Sequence, residues 1–201
     1  MFYLLAHNDF MITGILLSAG LSQRFGSPKA LADLHGRTVI EHLQSTLLTT
    51  ACDNIIVVLG NGAQDIMPFI FIHSRIRVVY NKNYNLGQTS SLQEGLKAVD
   101  AKSQGILLLP VDCPLVQAST INKLIDHFKK TAPDILIPSY LHKKGHPPIL
   151  HQRLIPEVFY LPLSRGLNSL FAGHPPQILE MDDPGIVKSF NTLEEWEKIK
   201  E

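Results

Sequence analysis

The chain has 201 residues, enough for one or at most two domains, and can bury roughly 70% of its unfolded surface without disulfide staples. Hydrophobic residues make up 45% and charged residues 18%, a composition that excludes a disordered chain. Lys+Arg and Asp+Glu stand at 18 each, divided 7 and 7 through residue 100 and 11 and 11 beyond it; a nucleic-acid polymer is therefore not an expected partner, whereas a small anion, needing only one or two local charges, stays open.

Met1-Phe-Tyr-Leu-Leu-Ala-His-Asn-Asp-Phe10 lacks the basic start and long apolar stretch of a secretory signal. Residues 1–11 read as an N-terminal extension and 12–201 as one domain. Ile12-Thr-Gly-Ile-Leu-Leu17 predicts a buried strand, followed by a Gly- and Ser-rich loop and a helix over 39–48. Strands are expected at 54–59, 75–80 and 105–110, and helices at 63–72, 90–99 and 119–130. Continuous apolar strands alternating with helices predict a doubly wound α/β domain, a mostly parallel sheet between two helical layers. Nine of the 13 prolines follow residue 130, where shorter strands at 135–137 and 148–150 and helices near 151–160 and 164–172 are expected. Thr192 caps a last helix with acidic residues in its first turn. The half over about 12–115 thus forms the sheet's main body, and 116–201 completes it and builds the far side of a cleft. No uncharged apolar run reaches the roughly 18 residues of a membrane helix. Cys52 and Cys113, far apart in sequence, suggest no disulfide framework or metal cluster, and a reduced cytoplasmic setting is expected.

Open parallel sheets bind ligands beyond the carboxyl ends of their strands, so the loops after Leu17, Tyr80 and Pro110 come first. The first, Leu17-Ser-Ala-Gly-Leu-Ser-Gln-Arg-Phe-Gly-Ser-Pro-Lys29, offers backbone amides and two cations, Arg24 and Lys29, to phosphate oxygens. It is neither a Walker A loop nor a Gly-x-Gly-x-x-Gly turn, and an ordinary strand-to-helix turn with two solvated cations is the alternative. In the second loop Gly87 permits a tight turn, and Thr89, Ser90 and Ser91 offer hydroxyls to a helix start, as simple caps do. In the third, Asp112 lies between Pro110 and Pro114, placed for a divalent cation or for a helix cap. Cys113 reads as a packed small residue.

The first loop resembles the signature of nucleotidyltransferases related to the molybdenum cofactor cytidylyl- and guanylyltransferases, matched at Gly20, Ser22, Arg24, Gly26 and Lys29. Ser18 departs from the alanine usual there. The resemblance implies that Leu17, Ser18, Ala19, Gly20, Ser22 and Gly26 wrap the nucleotide, while Arg24 and Lys29 stabilise charge on the transferring group. The spacing of Asn81, Gly87, Ser90 and Ser91 is similar to the cytidylyl branch, in which this loop meets base and sugar. Ala19 also agrees with that branch, its methyl group favouring a pyrimidine over guanine. Asp112 matches the family's metal-binding aspartate, and Asn191 takes the second ligand position in Ser189-Phe-Asn-Thr-Leu-Glu-Glu195, where Ser189 and Leu193 depart. Asn191 as a residue that merely opens the last helix is the alternative. Gly145-His146-Pro147 matches a turn facing the acceptor, with a loop hydrogen bond the other role open to His146. A further element appears as Leu163-Ser-Arg-Gly-Leu-Asn168, without its acidic residue and final arginine. The implied reaction is Mg²⁺-dependent transfer of CMP from CTP to the phosphate of molybdopterin, with pyrophosphate released and a molybdoenzyme as eventual recipient. A sugar phosphate acceptor and a non-catalytic nucleotide-binding or cofactor-delivery role are the alternatives.

Overall fold

The computed structural model describes residues 10–200. The expected N-terminal extension lies outside them except for Phe10 and Met11, and these two belong to the folded body. Strand β1 begins at Met11, and the Phe10 ring meets Phe128 edge-on at 5.9 Å.

In chain order the strands are β1 (Met11–Ser18), β2 (Asp33–Leu34), β3 (Arg37–Thr38), β4 (Asn54–Leu59), β5 (Ile76–Tyr80), β6 (Ser103–Pro110), β7 (Ile135–Tyr140), β8 (Lys143–Lys144), β9 (Ile149–His151) and β10 (Gln177–Glu180). The helices are α1 (Val39–Leu48), α2 (Ala63–Ile66), α3 (Gln88–Lys97), α4 (Ala118–Thr131), α5 (Ile155–Tyr160) and α6 (Leu193–Ile199). The main sheet runs β10-β7-β9-β6-β1-β4-β5, with β8 beside β7, and only β9 and β8 oppose the other strands. β2 and β3 form a separate hairpin.

Successive strand residues point to opposite faces, so apolar runs make two cores. Ile12, Leu16, Val57, Leu107 and Leu109 pack under α1, α4 and α6; Ile15, Leu17, Ile56, Val58, Ile106 and Leu108 pack under α3 and α5. α4 shows the cause at residue level: Ile121, Leu124, Ile125 and Phe128 fall on one stripe and are wholly buried. Each such side chain contributes about 1.5–3 kcal/mol relative to exposure. The sheet with helices on both faces is the mostly parallel α/β architecture that the alternating pattern predicts.

Four expectations change. The helix expected over 63–72 stops at Ile66 and continues only as a single 3₁₀ turn, Met67–Phe69, because Pro68 lacks an amide proton. α3 starts at Gln88, so Thr89, Ser90 and Ser91 lie inside it and do not cap it. The stretch near 164–172 is a 3₁₀ helix, Leu167–Ala172. β7 extends to Tyr140 and pairs in parallel with β10, a strand absent from the sequence reading.

Candidate functional site

β1, β4, β5 and β6 run parallel, and their carboxyl ends open onto a cavity of about 330 Å³. Its walls are Leu17–Ser22 at and beyond the end of β1, Asn61 after β4, residues from Tyr84 to Ser91 after β5, and Pro110–Asp112 at and beyond the end of β6. Pro28, Lys29 and Ala30 close one side. Asn61 was not among the expected residues, although it follows a parallel strand in the same way as the other three loops.

The first loop is held by its own backbone. Ser22 takes φ +52°, and its carbonyl accepts from the amides of Phe25 and Gly26, both at 3.0 Å. The Ser22 hydroxyl accepts from the Lys29 amide at 3.3 Å. Phe25 then inserts beneath the loop and meets the Phe190 ring at 5.2 Å, which in turn packs at a tilt against Trp196 at 4.4 Å. This aromatic row joins the first loop to the C-terminal segment, and the Phe190 amide donates to the Asp112 carbonyl at 3.1 Å.

Three residues far apart in sequence meet as a result. The Lys29 ammonium donates to Asp112 Oδ2 at 3.2 Å and to Asn191 Oδ1 at 2.9 Å, and lies 5.4 Å from the centre of the Phe190 ring. The Lys29 side chain is 11% exposed and that of Asp112 29%. Asn191 is fixed by its main-chain N–H, which donates to Glu195 Oε2 at 2.5 Å, ahead of the Thr192 cap of α6. Asp112 and Asn191 present two hard oxygen donors converging on one cationic group. That donor set fits Mg²⁺ or Mn²⁺ bound jointly with phosphates, since such ions take one or two carboxylates beside phosphate and water. Among the described residues no cluster of three or more His, Cys, Asp or Glu is arranged to hold a metal ion unaided.

The other expected residues divide clearly. Leu17, Ser18, Ala19, Gly20, Ser22, Gly87 and Ser91 line the cavity. Gly87 makes the turn into α3 at φ +103°, a region that disfavours side chains. Asn81 and Ser90 do not line it. Asn81 is 2% exposed, and its amide nitrogen donates to Ser90 Oγ at 2.9 Å and Ser91 Oγ at 3.0 Å, so this pair organises the loop from behind. Arg24 is exposed and, with Gly26, lies outside the cavity lining. The Cys113 thiol lies 3.7 Å from Asp112 Oδ1, and burial followed by the Asp112 charge raises its pKa far above the ordinary thiol range. It is a packed thiol in this setting, not a thiolate nucleophile.

A second cavity of about 320 Å³ adjoins the first, sharing Leu17, Gln88 and Pro110. Gly145 and His146 line it; Pro147 does not. At Gly145 a side chain would meet the Ile186 carbonyl oxygen at 2.5 Å, so the close approach admits only hydrogen. The His146 amide donates to that same carbonyl at 2.8 Å. Burial holds the His146 imidazole below its ordinary pKa, with the Asp112 charge acting in the other direction. The wall is mainly apolar, with Leu92, Ile137, Leu167 and Phe171, and Lys144 rests 5.6 Å above the Phe171 ring. Gly166 and Asn168 of the divergent element also line it. Lys144 and Phe171 were not singled out by the sequence, because a two-residue strand and a 3₁₀ helix carry little periodic signal.

One further buried residue fastens the C-terminal segment to the body of the fold. Asp183 is 1% exposed, and its Oδ1 accepts from the Gly185 amide at 2.8 Å. Its Oδ2 accepts from the Gln117 amide at 3.0 Å and the Thr120 hydroxyl at 2.7 Å. Asp183 thereby ties the start of α4 to the segment that carries Ile186 and, beyond it, Asn191.

Residues 14–178 match the MobA-like NTP transferase domain. The chain is 31% identical over 153 residues to nicotine blue oxidoreductase of Paenarthrobacter nicotinovorans, covering 73% of this chain and 74% of that one. It is similar to the crystal structure of Rv0371c from Mycobacterium tuberculosis, with a TM-score of 0.85 at 25% identity over 96% of this chain and 98% of the other. A manganese complex of Rv0371c gives a TM-score of 0.79 at 24% identity, covering 94% and 97%. Molybdopterin-guanine dinucleotide biosynthesis protein A from Archaeoglobus fulgidus shares the fold, with a TM-score of 0.71 at 14% identity over 92% and 95%. With loops beyond parallel strands, a lysine among oxygen donors and this domain across most of its length, the chain belongs to the MobA-like family of nucleotidyltransferases.

Proposed function

We propose that the protein transfers CMP from CTP to the terminal phosphate of molybdopterin, releasing pyrophosphate. The observation that carries this reading is the meeting of Lys29, Asp112 and Asn191 at a cavity walled by four post-strand loops, with a second cavity beside it. In the reaction an acceptor phosphate oxygen bonds to the α-phosphorus while the bond to the bridging oxygen breaks, and pyrophosphate carries the electron pair away. Such transfer depends on positioning and charge neutralisation more than on a protein nucleophile.

The backbone of Ser18–Ser22 cradles the triphosphate, and Lys29 neutralises charge on the transferring group and on the departing pyrophosphate. Asp112 and Asn191 would hold Mg²⁺, which when bound would supply charge stabilisation to the phosphate oxygens. Ala19, buried at the cavity wall, narrows the base site towards a pyrimidine. Gly145 and His146 shape the acceptor side. Arg24, being exposed, has its expected role only if nucleotide draws it inward. The setting we assign is cytoplasmic, with a molybdoenzyme receiving the product; no helix among the described residues is long and apolar enough to cross a membrane.

The test is a pyrophosphate-release assay crossing four nucleoside triphosphates with molybdopterin and several sugar phosphates. Release with CTP and molybdopterin supports the reading; release only with a sugar phosphate reassigns the acceptor. A second reading is favoured by the 31% identity to nicotine blue oxidoreductase: reduction of a flat organic substrate in the mainly apolar cavity. Oxidation of a reduced nicotinamide by the purified protein in the presence of such a dye, with no pyrophosphate released, would select it.

A further inference from the structure

We propose that Lys29 occupies the cation position of the nucleotide-free site, so that Asp112 and Asn191 become available to a divalent ion only when nucleotide phosphates draw the ammonium away. The inference rests on the assignment of these two residues as metal ligands given above.

The ammonium is enclosed on three sides: a carboxylate oxygen at 3.2 Å, an amide oxygen at 2.9 Å and the Phe190 ring at 5.4 Å. At 11% exposure the lysine side chain is seated, in contrast to solvated lysines such as Lys198 at 68%. Each partner is held from elsewhere. Asn191 is anchored through Glu195, the Phe190 ring is wedged between Phe25 and Trp196, and the main chain of Asp112 is bonded to that of Phe190. The seat therefore belongs to the fold and does not follow the lysine.

Two cations cannot share it. A divalent ion of the Mg²⁺ class needs its oxygen ligands at about 2.0–2.1 Å, and an ammonium hydrogen-bonded to those oxygens competes for their lone pairs and repels the ion. Lys29 also lines the 330 Å³ cavity, and its flexible stem can carry the charge to a phosphate while its backbone stays on Ser22. A triphosphate thus offers Lys29 a second anionic partner and releases both oxygens together. Metal and nucleotide then raise one another's affinity by the same factor, as linkage requires.

The experiment is titration with Mn²⁺, following the free ion by electron paramagnetic resonance, with and without CTP or GTP. It compares the full-length protein with Lys29→Met, Lys29→Gln, Lys29→Arg and the double variant Lys29→Met/Asp112→Asn, folding being verified by circular dichroism. Without nucleotide, we expect Lys29→Met or Lys29→Gln to bind Mn²⁺ at least tenfold more tightly than the unaltered protein. Lys29→Arg should stay as weak as the unaltered protein, and the double variant should lose the gain. Nucleotide should tighten Mn²⁺ binding to the unaltered protein at least tenfold, and do so much less in Lys29→Met. Nucleotide-dependent Mn²⁺ binding in the unaltered protein, with no gain in either neutral variant alone, would overturn the lysine's role and leave the ligand assignment standing. Absence of Mn²⁺ binding in every variant, with or without nucleotide, would overturn the ligand assignment and the inference with it.

Discussion

Asp183→Ala is expected to destabilise the fold by about 3–5 kcal/mol. The carboxylate is 1% exposed and accepts three hydrogen bonds. Two of the donors, the Gly185 amide and the Thr120 hydroxyl, belong to buried residues, and each costs about 1–3 kcal/mol when left without a partner. The Gln117 amide belongs to an exposed residue that water can reach, so its share is about 1 kcal/mol or less. Asp183→Asn is the finer probe. Its carbonyl can keep Gly185, and the Thr120 hydroxyl can rotate, but its NH₂ group then confronts the Gln117 amide; a loss of about 1–3 kcal/mol follows. Urea unfolding gives both values, and for a chain of this length each kcal/mol lowers Tm by about 2–4 °C. Because Asp183 anchors the segment leading to Asn191, the KM for nucleotide should rise in Asp183→Asn. A loss below 1 kcal/mol in Asp183→Ala would refute the claim that this carboxylate fastens the C-terminal segment to α4.

Lys29→Ala and Asp112→Ala should each lower nucleotidyl transfer by roughly 10²–10³ while leaving the circular dichroism spectrum unchanged; near-normal turnover in either would remove it from the machinery. Ala19→Gly should shift the product ratio towards guanylyl transfer when CTP and GTP compete at equal concentration, by about 1–3 kcal/mol at most, since the change is one methyl group. His174 bonds Asp134 at 2.7 Å through Nδ1 and Glu157 at 3.0 Å through Nε2, and these carboxylates, Asp134 first, raise its pKa. A raised histidine stabilises the fold below the ordinary histidine range and ceases to do so as pH climbs through the raised value. The Tm deficit of His174→Gln should therefore be largest near about pH 6 and shrink by about pH 9; a deficit independent of pH would contradict it.

What the sequence discloses follows from how each feature is encoded. β1, β4 and β6 are apolar runs closed by small or rigid residues, so a local pattern reveals both strand and loop, and with them Lys29 and Asp112. Asn191 is legible as a site residue only through family resemblance, and its bond to Lys29 not at all, because that bond depends on Phe25, Phe190 and Trp196 meeting across the fold. Asn81 and Ser90 illustrate the opposite case: their residue types suit a ligand, yet they bond to one another. β10 carries a mixed, mostly exposed sequence and is defined by its pairing with β7, which no local periodicity encodes. Asp183 resembles any turn aspartate until its burial and its partners at Gln117 and Thr120 are seen.

The most direct measurement is the mass of the product formed when CTP and GTP are supplied together at equal concentration with molybdopterin and Mg²⁺. The account predicts an acceptor heavier by one CMP moiety, formed with equimolar pyrophosphate. A guanylyl adduct as the main product, or an acceptor left without any nucleotide, would contradict it.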